Sequence, residues 1–461
     1  MAWMERARSF LFGFVRRQPL ILHATHKTSS TDSSGMATAL GWSAVSTALR
    51  IALGFVSAKV SAIYLGPSGI ALVGNISNFI QLSTGVILSG TNDALLNLTA
   101  KRERDELAMS RLWSTAITVV IGVGSFVTIA TIMAAPRVSQ LLLLDRRYWP
   151  AVMIAAIAMP IAAIDILLLS ALNGLRKVNI VAGAGIVSTI VDVVIFSSSA
   201  YLFGLWGALC AVSATYAGRL TVSLAMTLWS NAIRPRALLR GFDFSTFREV
   251  MTFYPMFIVN VIAVPVSQIL VRNKIVASSG LDAAGQLQAV WRLSDIYVGV
   301  LTTALSMFFM ARFSSLDSPT RRAQFLVTTL SQLFLLTACA AVGIYLLRDV
   351  IISVVLTEQF RPIRYLLPFQ LAGDVIRVVD IPLQMSLVSS RRTKVYIAQA
   401  VTGPITYVVL TFVLQPLLDL QSATVAHCVA YAARLLILGV AAWPMIAAAF
   451  QERTKHIPSS R

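Results

Sequence analysis

With 461 residues, 57% of them hydrophobic, only 13% charged and a mean hydropathy of +0.75, this chain departs from soluble domains, in which about a quarter of residues are charged. A net charge of +18 would suit a nucleic-acid partner, but the Lys and Arg residues are placed as topological markers, and no nucleic acid is expected. The chain reads as an all-α polytopic membrane protein.

Residues 1–35 carry basic residues around the apolar run Phe10 to Val15, followed by a polar His/Ser/Thr tract. Arg16 and Arg17 follow the run directly, where a cleaved signal peptide would have small residues. An interfacial helix with a disordered linker is expected, with Met36 as an alternative start. Twelve segments then reach the roughly 20 apolar residues that a spanning helix needs: 37–64, 69–97, 112–135, 149–173, 179–203, 206–229, 249–271, 284–311, 323–347, 364–389, 395–416 and 423–448. With the N-terminus in the cytoplasm, the inner side holds 24 Lys and Arg residues against 8 on the outer side, Arg272 and Lys274 among the latter. The positive-inside rule therefore sets both termini in the cytoplasm.

Two self-similarities share an offset of 217 residues: Ile76 to Ile80 with Leu293 to Tyr297, and Lys177 to Ile180 with Lys394 to Ile397. A period of six segments keeps both copies in one orientation, as in parallel transporter repeats. The expected organisation is an extension 1–35, a first six-helix lobe 36–230, a basic linker 231–248, a second lobe 249–448 and a cytoplasmic tail 449–461.

Ionisable residues stranded at membrane depth cost several kcal/mol unless they face partners or a water-filled cavity. Here they are Arg50, Lys59, Arg219, Arg292, Arg377 and Arg434 with Asp165, Asp192, Asp295, Asp374 and Asp380. Spacings of three and four put side chains on one helix face. Such stripes run through Thr47, Arg50, Gly54, Ser57 and Ser61 in segment 1, and through Asn75, Asn78, Gly85, Ser89 and Asn92 in segment 2. Segment 8 has Gln288, Arg292, Asp295, Gly299, Thr302 and Ser306, and segment 10 has Gln370, Asp374, Arg377, Asp380 and Gln384.

The competing structural reading pairs Arg292 with Asp295 and Asp374 with Arg377 as i,i+3 neighbours, and Asp192 with Arg219. Lys59 lies half a turn from Arg50 and near enough to the outer end to snorkel. Asp165 and Arg434 have no obvious partner. Pro160, Pro265 and Pro404 are sites where helices can bend, and Gly66-Pro67-Ser68-Gly69 forms a turn. Cys210, Cys339 and Cys428 lie in apolar runs without metal or disulfide spacing. His23, His26, His427 and His456 sit beside no nucleophile or carboxylate in a catalytic spacing. Neither a catalytic constellation, nor a metal site, nor a cofactor is expected.

The run Ser46 to Arg50, the stretch Tyr64 to Gly69 and on to Asn75, the segment Leu293 to Tyr297, and the stretch Leu347-Arg348-Asp349 through Phe360 to Phe369-Gln370-Leu371-Ala372-Gly373-Asp374-Val375 resemble Wzx-type flippases. The resemblance is to the O-antigen and lipid III (enterobacterial common antigen) translocases of the multidrug/oligosaccharidyl-lipid/polysaccharide exporter superfamily. It extends from about Met36 to Pro444, and Phe-Gln-Leu-x-Gly-Asp is its most specific element. It implies twelve transmembrane helices in two lobes around a central cavity, in the bacterial inner membrane. The implied cargo is a polyprenyl-diphosphate-linked oligosaccharide moved from the cytoplasmic to the periplasmic leaflet, with a polysaccharide polymerase and a chain-length regulator as further partners.

On this reading Arg50, Lys59, Asn75, Asn78, Gln288, Arg292 and Arg377 bind substrate: cations take the diphosphate or acidic sugars, and amides take sugar hydroxyls. Asp295, Asp374 and Asp380 couple transport to H+ or Na+. A drug or metabolite exporter of the same superfamily is the main rival. A polysaccharide polymerase or ligase would need a large periplasmic loop, and the longest outer connections here are only about 15 to 20 residues, comparable to helix linkers. A passive channel would need rings of charge.

Overall fold

The computed structural model describes residues 32–102, 105–230, 233, 241–252, 254–314, 316, 318–389 and 393–455. The chain divides into two units, Met1–Ser46 and Thr47–Arg461. Of the first, helical backbone from Asp32 onward is described; the interfacial helix expected before it, and Arg234, Arg236 and Arg240 of the linker, lie outside the described residues.

The helices are α1 (Asp32–Tyr64), α2 (Gly66–Leu88), α3 (Thr91–Lys101), α4 (Glu106–Leu143), α5 (Trp149–Gly174), α6 (Val178–Trp229), α7 (Phe244–Met251), α8 (Tyr254–Ser314), α9 (Pro319–Leu346), α10 (Arg348–Val355), α11 (Leu367–Ser389), α12 (Thr393–Leu418) and α13 (Gln421–Lys455), with 3-10 turns at Arg146–Tyr148 and Glu358–Tyr365. Eight of them contain stretches long and apolar enough to span a bilayer. Two of those eight hold two spans each. At 1.5 Å per residue, the 52-residue α6 and 61-residue α8 would be about 80 to 90 Å long if straight, far beyond the roughly 30 Å hydrocarbon core. Each is broken at a left-handed glycine, Gly204 (φ 57°) in α6 and Gly280 (φ 87°) in α8, where a Cβ would be strained. The arms fold back on each other: Arg219 meets Asp192 across the first break, and Arg272 meets Gln288 across the second. Counting α1 and the charge-bearing α11 with them, the described residues hold twelve helical stretches of spanning length.

The sharp breaks fall at these glycines, while Pro160, Pro265 and Pro404, where bends are expected, lie within helical stretches. Segment 2 is divided: Ser89 (φ 37°) and Gly90 (φ 82°) separate α2 from α3.

The twelve spans form two six-helix lobes. The first lobe packs around a core from α2 to α6 that includes Ile76, Leu112, Leu143, Met159 and Leu172. The second has its own cluster of Phe309, Phe313, Leu326, Leu383 and Leu438. Between them α2 lies against α8, with Ala71 among Val271, Leu287 and Trp291, and Ile70 near Val290. The approach is close because glycines line it, as is usual where membrane helices meet. A Cβ on Gly285 would overlap the Pro67 carbonyl, one on Gly74 the Gln288 side chain, and one on Gly85 the Val261 side chain. Large apolar residues on the outer surface, such as Phe126, Met133, Leu417 and Val440, suit lipid.

The short helix α7 belongs to the connection between the lobes and is held to the first. Asp243 caps it, accepting from the backbone N–H and the hydroxyl of Thr246 and from the Ser245 hydroxyl. These bonds, the Thr246 and Ser245 side chains first, hold the Asp243 carboxyl at a pKa of about 2. The Asp243 N–H donates to Thr115 Oγ1, the Ser114 hydroxyl donates to the Gly241 carbonyl, and Glu249 pairs with Arg102 at 2.5 Å.

Candidate functional site

A cavity opens within the second lobe between α8, α11, α12 and α13. α11 supplies its central residues because the spacing of Gln370, Asp374, Arg377 and Asp380 places them on one face. Gly373 leaves room for His427 of α13, whose ring a Cβ at that position would overlap.

The acidic and basic side chains in and behind the cavity are joined in three pairs. Arg377 Nη1 lies 3.0 Å from Asp295 Oδ1, Arg434 Nε lies 3.0 Å from Asp380 Oδ2, and His427 Nε2 lies 3.2 Å from Asp374 Oδ1. Asp374 is fully buried and also accepts from Tyr297 Oη at 2.7 Å and from Gln370 Nε2 at 3.2 Å. Asp380, equally buried, accepts from Gln384 Nε2 at 2.6 Å. The expected i,i+3 pairs are therefore replaced: Asp295 pairs with Arg377 of α11, and Asp374 takes Tyr297 of α8 and His427 of α13 besides Gln370 of its own helix. Arg434, without an obvious partner in the sequence, has one in Asp380. The expected pairing of Asp192 with Arg219 is present, at 2.6 Å.

Arg292 turns away from Asp295. Its Nη1 and Nη2 donate to the hydroxyls of Ser61 and Ser57 on α1, at 3.0 and 2.6 Å. Lys59 is fastened to α10, donating to the carbonyls of Ser353 (2.9 Å) and Leu356 (2.5 Å), the free end of a helix where a cation is favoured. Arg50 is exposed, its guanidinium lying over Gly185 of α6. Asn78 is buried with its Nδ2 unpartnered among the described residues. The cavity thus gathers Asp295 and Arg377, with Asp374 and Asp380 behind them, while Arg50, Lys59, Asn75, Asn78, Gln288 and Arg292 lie outside its lining.

Asn75 and Gln288 converge on a residue that the sequence had assigned to an outer loop. Arg272 lies inside α8 and is fully buried. Its guanidinium donates to Asn75 Oδ1 and to Gln288 Oε1 and sits 5.2 Å from the Trp291 ring centre; Asn75 Nδ2 in turn donates to the Leu142 carbonyl at 2.7 Å. The apolar run ends just before Arg272, so the segment was cut there, but the helix continues to the turn at Gly280. That glycine was the available signal. His427 was likewise passed over, because its partner Asp374 is 53 residues away.

No family model matches the chain. In sequence, the lipid III flippase of Escherichia coli (strain K12) is 26% identical to it over 338 residues, covering 73% of this chain and 81% of that protein, and the lipid III flippase of Shigella flexneri is similar to the same extent. In structure, an inward-facing multidrug resistance MATE family transporter of the MOP superfamily superposes with a TM-score of 0.73 at 12% identity, over 87% of this chain and 96% of that one. The lipid II flippase MurJ, in an inward closed conformation, gives a TM-score of 0.69 at 13% identity, over 87% of each chain. The chain therefore has the two-lobed, twelve-helix fold of MATE and MurJ, and its sequence is similar to that of the lipid III flippases.

Proposed function

We propose that this protein is a flippase that turns a polyprenyl-diphosphate-linked oligosaccharide, such as an O-antigen or exopolysaccharide repeat unit, from the cytoplasmic to the periplasmic leaflet of the bacterial inner membrane. The observation that carries this reading is the likeness to lipid III flippases over 338 residues, on a fold that also serves a lipid II flippase. The membrane-depth cavity supports it, since a glycan needs a polar path through hydrocarbon. The two lobes rock to expose that path to each side in turn. Arg50, exposed beside Gly185, and Arg292, held by the neutral serines Ser57 and Ser61, supply cations for the diphosphate. Asp295, Asp374 and Asp380 are the carboxylates for coupling to H+ or Na+. Lys59 secures α10, and Asn75 and Gln288 meet the substrate only when Arg272 releases them. Both termini face the cytoplasm by the distribution of Lys and Arg, and a polymerase and chain-length regulator act downstream.

The related multidrug-exporter reading shares the fold. It sits less well with the cavity, where Asp295 and Asp380 are each paired with an arginine and the fully buried Asp374 is taken up by Tyr297, Gln370 and His427, so each of these three carboxylates already has partners. In a deletion strain, lipid-linked oligosaccharide is expected to accumulate facing the cytoplasm. In proteoliposomes, Arg50→Ala combined with Arg292→Ala is expected to abolish translocation; unchanged translocation would refute the cationic path.

A further inference from the structure

The cavity of the second lobe is polar, and both of its arginines are paired. Its arginines, Arg377 and Arg434, are each matched by an aspartate, and His427 is matched by Asp374. A diphosphate would have to break one of the arginine pairs to gain a charged partner. Two buried polar groups in the wall have unmet needs of opposite kind. The Tyr407 hydroxyl has no acceptor among the described residues; its near polar neighbour, the Trp291 indole N–H, can only donate. Gln370 Oε1, on a side chain 1% exposed, has no donor. Buried groups of this sort are rarely left unpaired. A ligand that meets both must offer an acceptor and a donor within one cavity: an ionised phosphate offers acceptors only and an ammonium donors only, whereas a sugar hydroxyl or acetamide offers both. Trp291, Tyr407 and Tyr431 add aromatic surface against which the apolar face of a pyranose ring can lie.

We infer that this cavity is a subsite for an uncharged, hydroxyl- and amide-bearing sugar of the cargo, separate from the cations that take its diphosphate. The assignment rests on the flippase reading for the source of the sugar. It makes Tyr407 and Tyr431 determinants of glycan specificity.

The test is saturation-transfer NMR on the full chain purified in detergent, with di-N-acetylchitobiose as the neutral probe and inorganic diphosphate and tetramethylammonium as charged ones. Saturation transfer to the disaccharide is expected, with Tyr407→Phe weakening its affinity about three- to tenfold, the size of one hydrogen bond. Tyr431→Leu should weaken it as well, and binding of diphosphate should be the same in Tyr407→Phe as in the parent. Absence of transfer to the disaccharide overturns the subsite, and so does an unchanged affinity in Tyr407→Phe, which would mean that water serves the hydroxyl. Translocation of extracted lipid-linked oligosaccharide in proteoliposomes separates the two claims. If it persists while the disaccharide fails to bind, the subsite is wrong and the flippase stands. If it is absent while the disaccharide binds in a Tyr407-dependent way, the flippase reading fails and the subsite stands.

Discussion

Arg272 shows how much a single side chain can hold. It joins Asn75 of the first lobe to Gln288 of the second, with no carboxylate paired to it among the described residues. Arg272→Ala leaves the buried Asn75 oxygen and the part-buried Gln288 oxygen without their donor, a buried orphan being worth about 1–3 kcal/mol. A fall in the melting temperature of the detergent-purified protein is expected, with Arg272→Lys recovering only part of it, because one ammonium cannot reproduce the planar fork. Gly373→Ala drives a methyl into His427 and is expected to lose translocation while the protein still folds. Which residues were chemically interesting could be read from the sequence, since a charge among apolar residues needs no neighbours to stand out. Their partners could not, because Asp374 and His427, or Asp380 and Arg434, meet only after α11 and α13 have packed.

Among the elements, the spans themselves were legible because twenty apolar residues are a local property. The turns inside α6 and α8 depend on backbone geometry that glycine alone tolerates. Gly204→Ala and Gly280→Ala, at positive φ, are expected to cost about 1–3 kcal/mol each, seen as reduced thermal stability and lower membrane yield. The α7 cap has a pH signature. Asp243 keeps a pKa of about 2 in the folded chain against an ordinary value of 3.8, so its contribution is complete above pH 4 and is lost as the pH falls through about 2. Hydrogen exchange at residues 244–251 should accelerate across that window, and Asp243→Asn, which retains a capping oxygen, should flatten the response.

At the scale of the whole molecule, the lobes are held together near the start of α2 by Ser68 donating to Asp282, by the Pro67 carbonyl seated on Gly285, and by the Arg272 bridge. If the lobes separate there during transport, a disulfide between Ser68→Cys and Asp282→Cys is expected to stop translocation in proteoliposomes, and reductant to restore it; full activity of the cross-linked protein would exclude separation at this end. The two lobes differ in how their buried charges pair. Asp165 and Arg219 in the first lobe stand 215 residues before Asp380 and Arg434 in the second. In the second lobe the two form an ion pair, whereas in the first Asp192 takes the arginine and leaves Asp165 Oδ1 unpartnered among the described residues. The sequence by itself determined the membrane class, the number of spans, the duplication and the stock of intramembrane charges, because hydropathy and helical spacing are properties of short stretches. Only the tertiary structure decided which charges neutralise one another and which polar atoms remain unmet in a common cavity, because pairing energies depend on distances between helices far apart in the chain.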